Sequence, residues 1–433
     1  MHLRSVLVAL AVLACTAAPA AGVRYRIDVF AGGGVAADPA ATGDGRPAPE
    51  AVLAAPTGLA RDRHGSVYVA DHNHGRVRRI ARRGRNRVIT TVAGTGARGS
   101  SGDGGPAAAA TFVRPTGVTV MPNGDLLVTD AGDARGGCTV RRIDRKGIVH
   151  AFAGVGDAPP GDAGTGGPAR AAQLGTPLRT VVAPNGDVYI VELNANRIRV
   201  VRAATGTIEA FAGTGEPGDD GDEGPAVAAR LRNPAGLVLG RHGTLYVSDF
   251  GNNRIRVVTP DGIIHALAGT GMQTGAIDGP GGDPADDLND GFASAATFYK
   301  PTGLALDAHG ALLVADQGNS AIRRIARDVR GRLSPDSLVT TIIGSGEPGY
   351  GGEGGDALAA RFTIPTDVLP LPGGRLLVAD RGNERVRIAV PVRGSLCSIA
   401  CSDGDACTRD RCTSGVGCSH VPTGATSALC AAP

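Results

Sequence analysis

Residues 56–80 read PTGLARDRHGSVYVADHNHGRVRRI, and this stretch recurs along the chain in recognisable form. Six copies are present, and they begin at Pro56, Pro115, Pro177, Pro234, Pro301 and Pro365. Each copy holds an alternating apolar run that ends in an acidic residue, then a loop, then a second apolar run. Alternation with a period of two, bounded by glycine-containing turns, is typical of β-strands. A unit of this kind repeated along the chain indicates a repeat architecture.

Each unit contains up to four strand segments, but the last unit lacks the fourth. This missing segment predicts how the ends of the chain meet. The fourth segment ends near a Gly-x-Gly sequence, and five such endings follow the six units. The sixth stands near the N-terminus, in residues 26–34. One four-stranded sheet cannot bury both of its faces alone, whereas a closed ring of six sheets buries them all. We therefore predict an all-β fold, a six-bladed β-propeller over residues 24–392. Its N-terminal strand is expected to pair with the strand at 385–390.

The repeated units resemble NHL repeats. The core pattern of that family, P-x-G-[ILV]-x-x-D-x-x-G-x-[LIV]-Y-V-[AS]-D, is met by residues 56–71, and the resemblance extends over nearly all of residues 24–392. It implies a six-bladed propeller that serves, in most members, as a binding platform. Some relatives with similar propellers are enzymes, namely peptidylglycine amidating lyases and gluconolactonase-like hydrolases. The resemblance therefore leaves catalytic activity open.

The first 20 residues predict a secretory signal peptide. A basic start, a short apolar run over 5–14 and the small residues 18–20 form the pattern that signal peptidases cleave. The run is too short to cross a bilayer. Cys15 follows a weak lipobox-like sequence, which leaves a lipid anchor at Cys15 as an alternative. Since no later segment resembles a membrane span, we expect a secreted, periplasmic or cell-surface protein.

Residues 393–433 predict a small disulfide-rich module. Six cysteines lie there: Cys397, Cys401, Cys407, Cys412, Cys418 and Cys430. A dense, even set of cysteines in an exported chain is typical of a disulfide framework, and the spacing leaves the pairing open. Residues 401–412 resemble the C-x-DGD-x-C-T-x-D-x-C modules of exported bacterial proteins, a resemblance that carries no activity. The aspartates in this stretch leave calcium as an alternative to a turn.

Composition excludes two broad classes of protein. The chain carries 44 basic and 41 acidic residues, a formal net charge of +3, and 42% of its residues are hydrophobic. Proteins that bind nucleic acids normally show a strong basic bias, so no nucleic-acid partner is expected. Disordered polar chains hold far fewer apolar residues. The sequence therefore predicts a folded, exported domain.

Two sets of polar residues recur with the repeats, and we interpret both as structural. The second strand of each unit ends at Asp71, Asp130, Glu192, Asp249, Asp316 or Asp380. An arginine stands five residues later in most units, which predicts within-blade pairs: Asp71 with Arg76, Glu192 with Arg197, Asp249 with Arg254, and Asp380 with Arg385. Twelve residues before the prolines stand Asp44, Asp103, Thr165, Asp222, Asn289 and Glu353, which we interpret as caps of short helices. Rings of acid–base catalysts or cation ligands are the alternatives.

Four residues break the repeat pattern near the expected channel mouth, and they are the candidate binding residues. His72 and His74 form an H-x-H sequence in the first unit, and Glu192 and Asn194 follow the second strand of the third. The lyase relatives hold zinc with several histidines, and the lactonase relatives hold a divalent cation with Glu, Asn and Asp. A third ligand beside the two histidines is not evident. We therefore expect no cofactor, with zinc or calcium as the alternative, and we name no catalytic residue.

The loop before the first strand and the loop after the second are expected on one face of the propeller. Long loops on a rigid scaffold favour binding. We therefore predict an exported, non-catalytic protein that presents this face to a protein, glycan or cell-envelope ligand. The alternative is a metal-dependent hydrolase or lyase with its site at the channel mouth. A third hypothesis is an adhesive module attached through the Cys-rich tail.

Overall fold

The computed structural model describes residues 23–34, 42–84, 86–271 and 291–392, and the backbone of 408–413 and 417–422. Contacts divide the chain into one unit at Tyr25–Pro391 and another formed by the two termini. In the terminal unit, β27 (Thr408–Thr413) pairs antiparallel with β28 (Gly417–Pro422), and the register sets Cys412 opposite Cys418. The predicted signal peptide at 1–20, Cys15 and the side chains of the tail cysteines lie outside the described residues.

Tyr25–Pro391 contains six antiparallel sheets, one for each repeat. The first strands of blades 1 to 6 are β2 (Pro56–Arg61), β6 (Pro115–Val120), β10 (Pro177–Val182), β15 (Gly236–Leu239), β20 (Pro301–Leu306) and β24 (Pro365–Pro370). The second strands are β3 (Val67–Asp71), β7 (Leu126–Asp133), β11 (Val188–Glu192), β16 (Leu245–Asp249), β21 (Leu312–Asp316) and β25 (Leu376–Asp380). First strands of neighbouring blades contact each other around the axis.

The third and fourth strands complete each blade. The third strands are β4 (Arg76–Arg83), β8 (Gly136–Ile143), β12 (Arg197–Val201), β17 (Arg254–Val258), β22 (Ala321–Ile325) and β26 (Arg385–Pro391). The fourth strands are β5 (Asn86–Ala93), β9 (Val149–Ala153), β13 (Ile208–Ala212), β18 (Ile263–Ala268), β23 (Leu338–Ile343) and, for blade 6, β1 (Tyr25–Ala31). Short strands β14 (Gly224–Pro225) and β19 (Gly291–Phe292) extend blades 4 and 5.

Among the described residues, the helical turns are all short 3₁₀ segments. Five lie in the long inserts that precede the first strands: Ala48–Glu50, Ala107–Ala109, Ala169–Ala171, Ala226–Ala228 and Ala357–Ala359. The others lie in turns between strands: Arg241–Gly243, Phe250–Asn252, Gln317–Asn319, Pro372–Gly374 and Arg381–Asn383. Over the described ranges, none of these helices has the length or hydropathy to cross a bilayer.

The predicted closure of the ring is confirmed. β1 pairs antiparallel with β26, from Tyr25 opposite Pro391 to Ala31 opposite Val386. Six clusters of buried apolar side chains fill the spaces between neighbouring blades. One of them joins the last blade to the first by packing Leu377 against Leu59 and Val69. The six-bladed propeller expected from the repeats is therefore the fold, and both faces of every sheet are covered.

Each blade buries one arginine of its third strand. These core arginines are Arg78, Arg141, Arg199, Arg256, Arg323 and Arg387, and they are at most 1% exposed. In Arg256, Nη1 donates to the carbonyl oxygen of Arg230 (2.8 Å) and Nη2 to Oδ1 of Asp222 (2.6 Å), both in the long insert. Nη1 also lies 3.8 Å from Oδ2 of Asp249, at the end of the second strand. One guanidinium thus joins the second strand, the third strand and the insert.

Contacts of this kind recur in other blades, and both of the recurring sets of polar residues take part in them. The carboxylates of Asp44, Asp103 and Glu353 contact the core arginines of their blades, and the hydroxyl of Thr165 accepts from Arg199 at 3.4 Å. The 3₁₀ turns that follow Asp44, Asp103, Thr165 and Asp222 have no side-chain cap. These residues therefore anchor the insert to the blade instead of capping a helix. Asn289 lies outside the described residues.

The second-strand acids bond to an arginine two residues beyond the one that the spacing suggested. The register sets Asp71 opposite Arg76, yet Oδ2 of Asp71 accepts from Nη1 of Arg78 (3.1 Å), while Arg76 donates to the carbonyl of Thr95. The other three expected pairs show the same shift. The partners are Glu192 with Arg199, Asp249 with Arg256, and Asp380 with Arg387, while Arg197, Arg254 and Arg385 make other contacts.

An ion pair that the repeats do not share crosses the channel axis. The second residue after the repeat proline is glycine in four units, and it is Arg179 in blade 3 and Asp367 in blade 6. A Cβ at Gly58 would lie 2.6 Å from the carbonyl oxygen of Thr116, so the axis has little room. Arg179 Nη2 lies 3.5 Å from Asp367 Oδ2 and donates to the carbonyl of Thr57 (2.7 Å). We call Arg179 and Asp367 the channel strut, since blades 3 and 6 face each other across the ring.

We predict that a core arginine stabilises the fold far more than its neighbour on the same strand. Arg256→Met leaves the fully buried Asp249 without its cation, and the free energy of unfolding should fall by about 3–5 kcal/mol. Arg254→Met is the matched control, because Arg254 is 23% exposed and its nearest carboxylate is 4.0 Å away. Its cost should stay below about 1 kcal/mol. Urea unfolding followed by circular dichroism measures both, and equal losses would contradict the prediction.

We also predict that the two residues of the channel strut depend on each other. Arg179→Gly leaves the buried carboxylate of Asp367 unpaired, which is strongly destabilising. The double variant with Asp367→Gly restores the glycine of the other four blades, and its melting temperature should exceed that of Arg179→Gly. Recovery should be partial, because Leu59 N–H loses the acceptor that it has in Asp367 Oδ2 (2.8 Å). A double variant that melts below both single variants would refute this coupling.

Candidate functional site

A cavity of ≈ 390 Å³ opens at one end of the axial channel. Its sides include the residue that follows the second-strand acid in every blade. These residues form what we call the mouth ring: His72, Ala131, Leu193, Phe250, Gln317 and Arg381. Deeper in the cavity lie the starts of the first strands and the guanidinium of Arg179. Of the channel strut, Arg179 thus lines the cavity, whereas Asp367 does not.

The blade frame determines where the mouth ring stands. Successive side chains of a strand point to opposite faces, so the residue after a buried acid turns away from the core arginine. In three blades an asparagine three residues after the acid donates to it: Asn252 to Asp249 (2.9 Å), Asn319 to Asp316 (2.8 Å) and Asn383 to Asp380 (2.8 Å). These bonds fix the loop that presents the ring residue. The scaffold repeats, whereas six different side chains occupy the ring.

A second circle of residues precedes the repeat prolines and has a strained backbone. The left-handed φ angles there are 52° at Ala55, 63° at Thr176, 47° at Asn233, 53° at Lys300 and 58° at Ile364. This conformation is rare for β-branched residues such as Thr and Ile, and each case costs about 1–3 kcal/mol. The second-strand acids offset the strain by accepting the N–H groups just before it, as Asp249 does from Arg232 (2.8 Å).

Two of the four candidate binding residues line the cavity, and the other two do not. His72 and Asn194 are in its wall, and Nδ2 of Asn194 donates to Oγ1 of Thr176 at 2.9 Å. Glu192 is fully buried, and its Oε1 accepts from Nε of Arg199 at 2.5 Å. His74 lies with Nδ1 2.9 Å from Oδ2 of Asp71, where three of the other blades use asparagine. The structure thus separates the two histidines of the H-x-H sequence.

The charged side chains that line the cavity are all positive. Three arginines line it, and no Asp or Glu of the described residues does. His72 is 8% exposed, and burial together with Arg381 and Arg114 lowers its pKa to about 4, so its imidazole is neutral near pH 7. Burial and the nearby Arg114 also lower the pKa of Arg381. Within the described ranges, no cluster of three or more His, Cys, Asp or Glu side chains could hold a metal.

The sequence reasoning missed Arg114, Arg179 and Arg381. It looked for acids and histidines that recur with the units, and none of these arginines does. A signal was nonetheless present. Arg179 and Asp367 replace the glycine of the repeat, and Arg381 stands at a position where all six units carry different residues. Comparing the units position by position for disagreement would have located the cavity.

Comparison with known proteins agrees with the repeat pattern. A model of the NHL repeat matches residues 231–258. Teneurin-3 of Mus musculus is 28% identical over 292 residues, which is 61% of this chain and 10% of that protein. Protein SUPPRESSOR OF QUENCHING 1, chloroplastic, of Arabidopsis thaliana is 28% identical over 298 residues, 64% of this chain and 25% of that protein. The chain spans about a tenth of the teneurin and a quarter of the plant protein.

Solved structures share the architecture. An auxiliary nutrient binding protein from Bacteroides thetaiotaomicron superposes with a TM-score of 0.57 at 15% identity, covering 85% of this chain and 76% of that one. This likeness concerns the fold. Four findings agree with one another: the six repeats, the closure of the ring by β1, the matching repeat model and these relatives. The chain is therefore an NHL-repeat β-propeller.

Proposed function

We propose that this protein is an exported, non-catalytic binding protein that holds its ligand in the cavity at the channel mouth. The observation that carries the proposal is the mouth ring, in which one repeat position bears six different side chains on an otherwise repeated frame. A purely structural position would be filled alike in each blade, as the buried acid and the core arginine are. A position that differs in every blade suits recognition of an asymmetric ligand.

The size and placement of the cavity support a small ligand. Ligand sites are concave and typically measure roughly 300–1,000 Å³, and this cavity of ≈ 390 Å³ lies near the lower limit. It can accept a small molecule, or a terminal unit of a glycan or peptide whose remainder extends over the inserts. Thr176, one of the strained residues before the prolines, lines it, and such strain is typical of ligand sites. The frame of core arginines keeps this wall rigid, which lowers the entropic cost of binding.

The N-terminal sequence pattern supports export, and the solved auxiliary nutrient binding protein offers a parallel for a binding protein of similar fold. Glu192 and His74, which the hydrolase or lyase alternative would use, bond within their blades. Binding therefore accounts for the side chains at the mouth better than metal-dependent catalysis does.

Blocking the cavity should abolish binding without disturbing the frame. Gln317 is a partly buried mouth-ring residue, and Gln317→Trp would fill the cavity from its rim. Thr205→Trp is the matched control, because Thr205 is exposed in the turn between the third and fourth strands, at the other end of the blade. Sugars, carboxylates, phosphates, amines and short peptides would be tested singly for a rise in melting temperature, and affinities of the positive compounds measured by calorimetry.

We expect at least one compound to stabilise the wild type and the Thr205→Trp variant, with affinity lost by about tenfold or more in Gln317→Trp. Compounds that bind all three proteins equally occupy another site. A panel in which nothing binds the wild type, or in which every positive compound also binds Gln317→Trp, would refute the proposal.

A further inference from the structure

We infer that the cavity binds an anionic group of its ligand between Arg114 and Arg381, beside His72, with an apolar part of the ligand on the opposite wall. The inference rests on the proposed function and names its ligand class, a small organic carboxylate or phosphate. His72, Arg114 and Arg381 belong to blades 1, 2 and 6, which adjoin one another around the ring. The positive charge therefore lies in one sector of the mouth.

Two of the three arginines in the cavity have no carboxylate partner among the described residues. Arg179 is neutralised by Asp367 in the channel strut. Arg114 uses Nε to donate to the carbonyl oxygen of Gly132 (2.6 Å), which fixes the plane of its guanidinium without neutralising it. Arg381 is half-buried, and its Nε is a buried donor without an acceptor. Guanidinium groups bind carboxylates and phosphates in paired, directional hydrogen bonds.

His72 supplies the second indication of a ligand. More than nine-tenths of this residue is buried, and its Nδ1 has no hydrogen-bond partner. The charged groups that lower its pKa are Arg381, Arg114 and Arg98, all of one sign, and their repulsion disfavours its protonation. A buried polar atom without a partner costs free energy, as does a group of unpaired like charges. An anion seated among these groups would offset the like charges, and by favouring protonation of His72 it would let Nδ1 donate a hydrogen bond to it.

The opposite wall differs in character. Leu193 and Phe250 are the mouth-ring residues of blades 3 and 4, and Leu178 lies below them. A ligand that fits the cavity would therefore place a charged head near blades 6, 1 and 2 and an apolar body near blades 3 and 4. Aromatic acids and aryl phosphates have this form, and the size of the cavity admits one such molecule.

The test uses matched probes and the full mature chain. Benzoate and phenyl phosphate carry the anionic head, benzamide is the neutral counterpart of benzoate, and benzylamine carries the opposite charge. Calorimetric titration should show binding of one or both anions, with benzamide weaker by about tenfold or more and benzylamine not bound. Arg381→Gln and, separately, Arg114→Gln should each weaken anion binding about ten- to hundredfold. Neither variant should change the affinity for benzamide.

Arg82→Gln is the control for charge, since Arg82 is exposed near the far end of β4 and its loss changes the net charge equally. It should bind the anions as the wild type does. Melting curves would show that both cavity variants are folded. An equal loss of affinity in Arg82→Gln would reveal a long-range field instead of a site and overturn the inference.

Failure of the inference can be separated from failure of the proposed function. If a neutral or basic compound binds in the cavity while benzoate and phenyl phosphate do not, the binding proposal stands and the anionic ligand class is wrong. Benzamide binding as tightly as benzoate would lead to the same conclusion. If no compound binds the wild type in either experiment, both proposals fail together.

Discussion

The fold of this protein depends on a buried guanidinium that ties three segments of each blade together. A single apolar side chain could fill the same space, and replacing buried ion pairs with apolar residues often leaves stability unchanged. Arginine adds geometry, because its five N–H donors lie in one plane and can satisfy several acceptors at fixed angles. In blade 1 the acceptors are the second-strand acid Asp71, the insert carbonyl of Thr42 and the insert carboxylate of Asp44. This contact ties the long inserts to the third strand, beside the backbone hydrogen bonds that each insert makes near the fourth strand.

The sequence predicted the blades well because the frame repeats, and it predicted single contacts less well because strand periodicity is ambiguous. The number of blades and the closing strand followed from counting units and their endings, and the structure confirms both. The arginine partner of the acid did not follow. Arg76 and Arg78 lie two residues apart, so both point to the same face of β4, and spacing alone cannot decide which one reaches Asp71. Burial decides which arginine pairs with Asp71: Arg78 is fully buried, and Arg76 lies nearer the loop.

The mouth was harder to predict, since a search for repeated chemistry passes over the positions at which the units differ. The sequence pointed to His72 and Asn194 because they depart from the repeat pattern. It pointed to Glu192 as well, although Glu192 differs from the aspartate of the other units only in the length of its side chain. A Glu in place of Asp still reaches the core arginine of its blade and stays buried. His74 likewise takes over the bond that asparagine makes elsewhere. A residue that departs from the repeat therefore indicates a binding site only where its side chain makes none of the contacts that hold the blade together.

This separation between frame and ring has a consequence for how such a protein acquires a ligand. The mouth-ring side chains lie beside residues that hold the loops, yet the bonds that fix those loops come from the acid, the asparagine and the core arginine. Changing a ring residue leaves these bonds intact, so six positions are free to differ without loss of the fold. The strained residues before the prolines are supported by the same acids. The residues that stabilise the blade and the residues of the proposed binding site are thus neighbours at one strand end, which allows the mouth to carry unlike side chains on an almost symmetric scaffold.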